Sequence, residues 1–150
     1  MSVSPVEVAL FDFLSDAVEA AIDDDIEPLA SLDIHDTVYR SMDKAKPDGV
    51  RISDCISTFS PTNGTDLKEW DAEVQLVCYS RVKTANLKER QDALKRVFDI
   101  QSAVIDLIFA DCSLGGRVCD VRVEPSPRSY DTIDGNAYAV ALIPLVVNPS

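Results

Sequence analysis

The sequence predicts a single α+β domain, an antiparallel or mixed sheet of four to five strands with an N-terminal helix and one long helix packed on it. Two stretches have apolar residues at helical spacing, and several others alternate strictly between apolar and polar residues. The alternating stretches follow one another as hairpin neighbours rather than in a regular β-α-β repeat. At 150 residues, with no repeat or linker that divides the chain, residues 1–150 are expected to form one domain with one core.

The first helix is predicted to begin at Ser4-Pro5-Val6-Glu7. Ser4 can cap the helix, Pro5 suits the first helical position, and Glu7 completes the capping box. One apolar stripe follows, consisting of Val6, Leu10, Phe13, Leu14, Ala17, Val18 and Ala21. The helix is expected to end at Asp23-Asp24-Asp25, where three carboxylates oppose the helix dipole.

These carboxylates are better explained by solvation than by metal binding. Asp23, Asp24, Asp25 and Glu27 could hold a divalent ion for hydrolysis, but the D-x-D-x-D-G pattern of a calcium loop is missing. The expectation is therefore no metal site.

The middle of the chain predicts strands around a polar loop. A linker containing Pro28 leads to a possible short strand at 37–41, and residues 44–49 predict a polar turn. Residues 50–59 then alternate as one half-buried strand. Residues 60–66 combine several turn signals and predict a projecting hairpin loop. The clearest strand follows, with Ala72, Val74, Leu76, Cys78 and Val82 on its apolar face and Glu73, Gln75, Tyr79 and Arg81 on the other.

The long helix is predicted from Asn86 to Cys112. Asn86 and Glu89 form a capping pair at its start, and Gly115 and Gly116 mark its stop. One apolar side has residues at helical spacing, namely Leu87, Leu94, Val97, Phe98, Val104, Ile105 and Ile108. Beyond Asp99, further apolar residues spread around the whole helix: Ile100, Ala103, Leu107, Phe109 and Ala110. The second half is therefore expected to need cover on more than one side.

Two further strands are predicted at the end of the chain. Residues 117–124 alternate, 126–136 form a polar loop, and 137–147 are apolar on both faces. Pro144 cannot donate to a ladder, so this part of the last strand is expected at an edge or a bulge. The remaining apolar surface favours subunit contacts, although the helices and the sheet could simply cover each other.

Composition and motifs exclude several functional classes. With 14 basic and 26 acidic residues the formal charge is −12, which disfavours binding of a nucleic-acid backbone. Cys55, Cys78, Cys112 and Cys119 lack zinc-site spacing and are expected to be reduced core thiols. His35 has no nucleophile motif with it, and no phosphate loop or metalloenzyme signature occurs. The expectation is no enzyme, no cofactor, no signal peptide and no membrane span.

The order of parts resembles the tail terminator family of long-tailed bacteriophages, also called tail completion or tail-to-head joining proteins. The matching parts are the capped helix SPVEVALFDFLSDAVEAAI, the strand WDAEVQLVCYSRV after a polar loop, the long helix, and the ending RVCDVRVEPSPRSYDTIDGNAYAVALIPLVV. The resemblance spans nearly the whole chain but concerns architecture, because no invariant motif supports it. Tail tube proteins, head-tail connectors and a non-viral homo-oligomeric ligand-binding module remain as alternatives.

The resemblance implies a virion protein that closes as a ring, in this family a homohexamer, on the head-proximal end of the tail. Its partners would be itself, the tail tube protein and a head-completion or connector protein, with assembly in the host cytoplasm. DNA would pass through an acidic bore without specific binding, and Asp23, Asp24 and Asp25 are the candidates to line that bore.

Two contact surfaces are expected on such a ring. The loop expected to reach the tail tube consists of Ser60, Pro61, Thr62, Asn63, Gly64, Thr65, Asp66, Leu67 and Lys68. The residues expected between subunits are Leu107, Phe109, Tyr138, Val140 and Leu142.

Overall fold

The computed structural model describes residues 5–36, 46–52, 56–59, 70–83, 86–118, 120–124, 128–133 and 136–148. Its elements, in chain order, are α1 (Pro5–Asp24), a 3₁₀ turn (Leu29–Ser31), β1 (Asp33–Asp36), β2 (Asp48–Ile52), β3 (Ile56–Phe59), β4 (Trp70–Arg81), α2 (Leu87–Ala110), β5 (Asp120–Val123), β6 (Arg128–Ile133) and β7 (Asn136–Asn148). The fold is α+β, as predicted.

The described strands form one mixed sheet around β4 and β7. Its main path is β1-β2-β4-β7-β5, while β3 pairs with β4 and β6 pairs with β7. The β1–β2 pair is parallel and the other pairs are antiparallel. Residues 50–59 were predicted as one strand, but they contribute two strands, β2 and β3, to the same edge of β4. The possible strand at 37–41 lies outside the described residues.

Both helices pack on the same face of the sheet. The main core joins α1 and α2 to alternate residues of β4 and β7: Val6, Leu10, Leu14, Val97, Ile100, Val104, Ile108, Val74, Leu76, Cys78, Ala141, Ile143 and Leu145. The predicted apolar faces of α1 and β4 are therefore confirmed, since these residues are buried. An ion pair joins α1 to the turn that follows α2, where Arg117 Nη2 donates to Asp16 at 2.8 Å.

The capping prediction for α2 is also confirmed. The Asn86 side chain accepts a hydrogen bond from the Glu89 backbone N–H at 2.8 Å. The helix ends at Ala110, before the two glycines, and Gly115 and Gly116 follow in the left-handed region with φ of 72° and 84°. In the intervening turn the Asp111 carboxylate accepts from Ser113 and from the Gly115 N–H.

Pro144 does not lie at an edge of the sheet. β7 is flanked by β4 on one side and by β5 and β6 on the other. The Pro144 carbonyl accepts from Glu124 at 2.9 Å, just beyond the end of β5. In an antiparallel strand the N–H and C=O of one residue point to the same neighbour, so the missing N–H faces the interval between β5 and β6. A proline is tolerated there because it removes no bond to β4.

A smaller cluster lies on the opposite face of the sheet. It consists of Tyr79, Tyr138 and Val140, with Val77 packed against it, and the two tyrosine rings meet edge to face at 5.5 Å. Gly49 is paired with Tyr79, and a Cβ at Gly49 would lie 2.5 Å from the Tyr79 Oη. The absence of a side chain at Gly49 therefore makes room for the tyrosine ring.

Candidate functional site

The five residues predicted to lie between subunits differ in how far they are exposed. Tyr138 is 2% exposed and Val140 is 6% exposed, so the chain itself already covers them. Leu107 is half-buried against the main core, and Leu142 is also half-buried. Phe109 is different, because 61% of its surface is exposed. Among these residues, Phe109 offers the largest accessible fraction for a contact with another molecule.

Phe109 belongs to a line of apolar residues along α2. Leu87, Phe98 and Phe109 are each eleven residues apart, close to three turns, and they are 70%, 47% and 61% exposed. Leu94 and Ile105 lie between them and are half-buried. We call these residues, Leu87, Leu94, Phe98, Ile105 and Phe109, the lateral stripe.

The lateral stripe corrects one interpretation of the sequence. Leu87, Leu94, Phe98 and Ile105 share the helical spacing of the core residues, so the sequence assigned them to one apolar side with Val97 and Val104. The structure divides that side into a buried face and the lateral stripe beside it. The eleven-residue spacing of the three exposed residues was the signal that could have revealed the division.

The acidic run lies at the end of α1. Asp23 and Asp24 occupy the last positions of the helix, and Asp25 follows in the left-handed region with φ of 56°. All three side chains are exposed, while the Glu27 carboxylate accepts from the Ser31 hydroxyl at 2.9 Å. Among the described residues, no group of three or more His, Cys, Asp and Glu side chains is placed to hold a metal ion.

The loop predicted to contact a tail tube, Ser60 to Lys68, lies outside the described residues. Cys55 and Cys119 do as well, and so does the His35 side chain. Cys78 is a buried free thiol in the core, and burial raises the pKa of its thiol far above the ordinary value. Cys112 is a free thiol with a partly exposed side chain.

A polar cluster that sequence reasoning missed joins β2, β4 and α2. Ser80 is fully buried, donates to the Asp48 carboxylate at 2.6 Å, and accepts from Arg96 Nε at 2.9 Å. Arg96 Nη2 also donates to the Arg81 carbonyl at 3.3 Å and lies 3.4 Å from the Glu89 carboxylate. The guanidinium of Arg96 is thus held in one orientation by three elements of the fold.

This cluster forms one wall of a pocket at the end of the sheet. The pocket has a volume of about 270 Å³ and is lined by Ser31, Lys46, Pro47, Asp48, Arg81, Lys83 and Arg96. These residues come from the 3₁₀ turn, the start of β2, the end of β4 and α2. In sequence they are widely separated, and residues 44–49 indicated only a polar turn. We call this cavity the basic pocket.

Comparison with known proteins does not identify a family. No protein-family model matches the chain, and no curated protein matches it. Within the part of the chain that the structure describes, no helix is both long enough and apolar enough to cross a membrane.

Proposed function

We propose that this chain is a structural virion protein of the tail terminator type, which closes as a ring on the tail tube and joins it to the head. The observation that supports this proposal best is the lateral stripe of α2. Two phenylalanines and a leucine, each about half exposed or more, lie along one line of a highly charged protein. Exposed apolar surface in a soluble fold is typical of a protein–protein contact.

In a cyclic ring, each subunit uses two different surfaces, one for each of its neighbours. In a head-to-tail ring, the lateral stripe of one copy would pack against a different surface of the next copy. A second exposed set on α1 could supply that surface, since Val8, Phe11 and Ile22 are 47%, 39% and 54% exposed. These three residues recur at helical spacing on a side of α1 away from its core stripe.

The acidic character of the chain fits the passage of DNA. A net charge of −12 per subunit repels phosphate, and Asp23, Asp24 and Asp25 are exposed at one end of α1. Carboxylates lining a bore would let DNA slide without binding, whereas lysine and arginine would retain it. The tail tube protein and a head-completion protein would be the partners of the two ring faces.

A variant pair tests the proposed contact. Phe109→Asp places a charge in the lateral stripe, and Ala110→Asp places the same charge on the next residue of α2, which is also exposed but lies outside the stripe. We expect Phe109→Asp to abolish assembly and Ala110→Asp to leave it intact, as measured by native mass spectrometry over a range of concentrations. Equal assembly of both variants would contradict the role of the stripe.

The basic pocket favours a second candidate function. A cavity of about 270 Å³ with converging polar groups approaches the lower limit of small-molecule sites. A non-viral homo-oligomer that binds a small ligand would need such a cavity. A stable dimer without a ring at any concentration would favour this candidate over the tail protein.

A further inference from the structure

The basic pocket concentrates positive charge in an acidic protein. The chain has only 14 lysine and arginine residues against 26 acidic ones. Four of the basic residues, Lys46, Arg81, Lys83 and Arg96, line this one cavity, and Asp48 is the single carboxylate among the lining residues. Like charges disfavour such proximity unless a counter-charge is supplied.

The local carboxylates offset only part of this charge. Arg96 lies 4.0 Å from Asp48 and 3.4 Å from Glu89, so these two acids act on the same guanidinium. Lys46 and Lys83 are exposed, and within the described residues neither ammonium group forms an ion pair. Two exposed ammonium groups among the lining residues are therefore available to an anion from solution.

The pocket wall is held in place before any ligand arrives. Arg96 is fixed by Ser80 and by the Arg81 carbonyl. The backbone N–H of Lys46 donates to the Asp33 carboxylate at 3.0 Å, and the Arg81 N–H donates to the Pro47 carbonyl at 2.8 Å. The Arg96 guanidinium is therefore preorganised, which reduces the entropy lost when a ligand binds, and the backbone bonds position the residues from which Lys46 and Arg81 extend.

We propose that the basic pocket binds a small oxyanion of the phosphate class, either inorganic phosphate or the phosphoryl group of a small metabolite. A doubly charged tetrahedral group can be approached by ammonium and guanidinium donors from several sides. A volume of about 270 Å³ is enough for a small molecule. This inference does not depend on the proposed tail function.

The test uses inorganic phosphate as the probe and the ³¹P line width as the readout, because exchange with a bound state broadens the line whatever the oligomeric state. At constant ionic strength, set with potassium chloride, the wild-type protein should broaden the phosphate line in a saturable manner. Lys46→Gln/Lys83→Gln should weaken binding about ten-fold or more, since two charged donors are lost. Lys95→Gln removes the same kind of charge from α2 outside the pocket and should change the affinity less than about two-fold.

Competition distinguishes the sources of the anion. The affinity of ribose 5-phosphate, measured by competition, is compared with the affinity of inorganic phosphate. If ribose 5-phosphate binds more tightly, the ligand is a phosphorylated metabolite; if it does not, the ligand is free phosphate. Acetate that competes as well as phosphate would overturn the proposal in favour of a carboxylate from a protein. Absence of saturable broadening, or equal loss in Lys95→Gln, would also overturn it. Circular dichroism of each variant checks that the fold is retained.

Discussion

Replacement of Ser80 by alanine tests whether the polar cluster beneath the basic pocket stabilises the fold. The Ser80 hydroxyl is fully buried and joins Asp48, at 2.6 Å, to Arg96, at 2.9 Å. Ser80→Ala removes both hydrogen bonds at once. The substitution is small, so it changes the packing of β4 very little.

The expected loss in the free energy of unfolding depends on how exposed Arg96 and Asp48 are. A hydrogen bond to a charged group contributes about 1.5–3 kcal/mol when both groups are buried. Here the side chains of Arg96 and Asp48 are 36% and 29% exposed, so water can replace part of what is lost. We therefore expect a loss of about 1 kcal/mol for each bond, or about 2 kcal/mol in the free energy of unfolding.

Urea unfolding followed by circular dichroism provides the assay. With a slope of about 2 kcal/mol per molar, the midpoint should fall by about 1 M while the slope stays unchanged. Ser31→Ala is the matched control, because its hydroxyl bonds to Glu27 on the surface, and it should change stability by less than about 0.5 kcal/mol. A loss below about 0.5 kcal/mol for Ser80→Ala, or an equal loss in the control, would refute the reasoning.

Three further predictions concern single residues. Gly49→Ala should destabilise the fold by about 1–3 kcal/mol in the same urea assay, because the new Cβ would clash with the Asp33 backbone carbonyl and would lie 2.5 Å from the Tyr79 Oη; an unchanged midpoint would contradict this account of the Gly49 site. Iodoacetamide at pH 8 should alkylate Cys112 in the native protein and Cys78 only after unfolding, since burial raises the pKa of the Cys78 thiol and only a thiolate reacts; peptide mass mapping would reveal the reverse order if this is wrong. Hydrogen bonds lower the pKa of Asp111, so its contribution to stability is present above its unfolded pKa and is lost as the pH falls through its lower folded pKa. The stability difference between the wild type and Asp111→Asn should thus shrink below about pH 4, and a difference that does not vary with pH would contradict this account.

Features determined by neighbouring residues could be predicted from the sequence. The Asn86 cap depends on a residue three positions away, and the alternation in β4 reports directly on which side chains enter the core. The α+β class belongs to the same group, whereas the predicted Ser4 cap of α1 lies outside the described residues. In the cap and in the strand, the residues that determine the local structure are close neighbours in the sequence.

Features that depend on distant segments could not be predicted. Tyr79 was assigned to a polar strand face, but it is buried because the sheet pairs it with Gly49 from another strand. The basic pocket combines residues from four segments, so no local pattern indicated it. The phenylalanines of the lateral stripe match the core spacing of α2, and only the actual position of the sheet shows that they remain exposed.

The proposed ring is tested most directly by native mass measurement at several concentrations, with and without millimolar magnesium, followed by negative-stain imaging of the largest species. The account predicts a six-fold ring with a central hole wide enough for duplex DNA, and its loss in Phe109→Asp but not in Ala110→Asp. A stable dimer without a ring at any concentration, unaffected by Phe109→Asp, would contradict it.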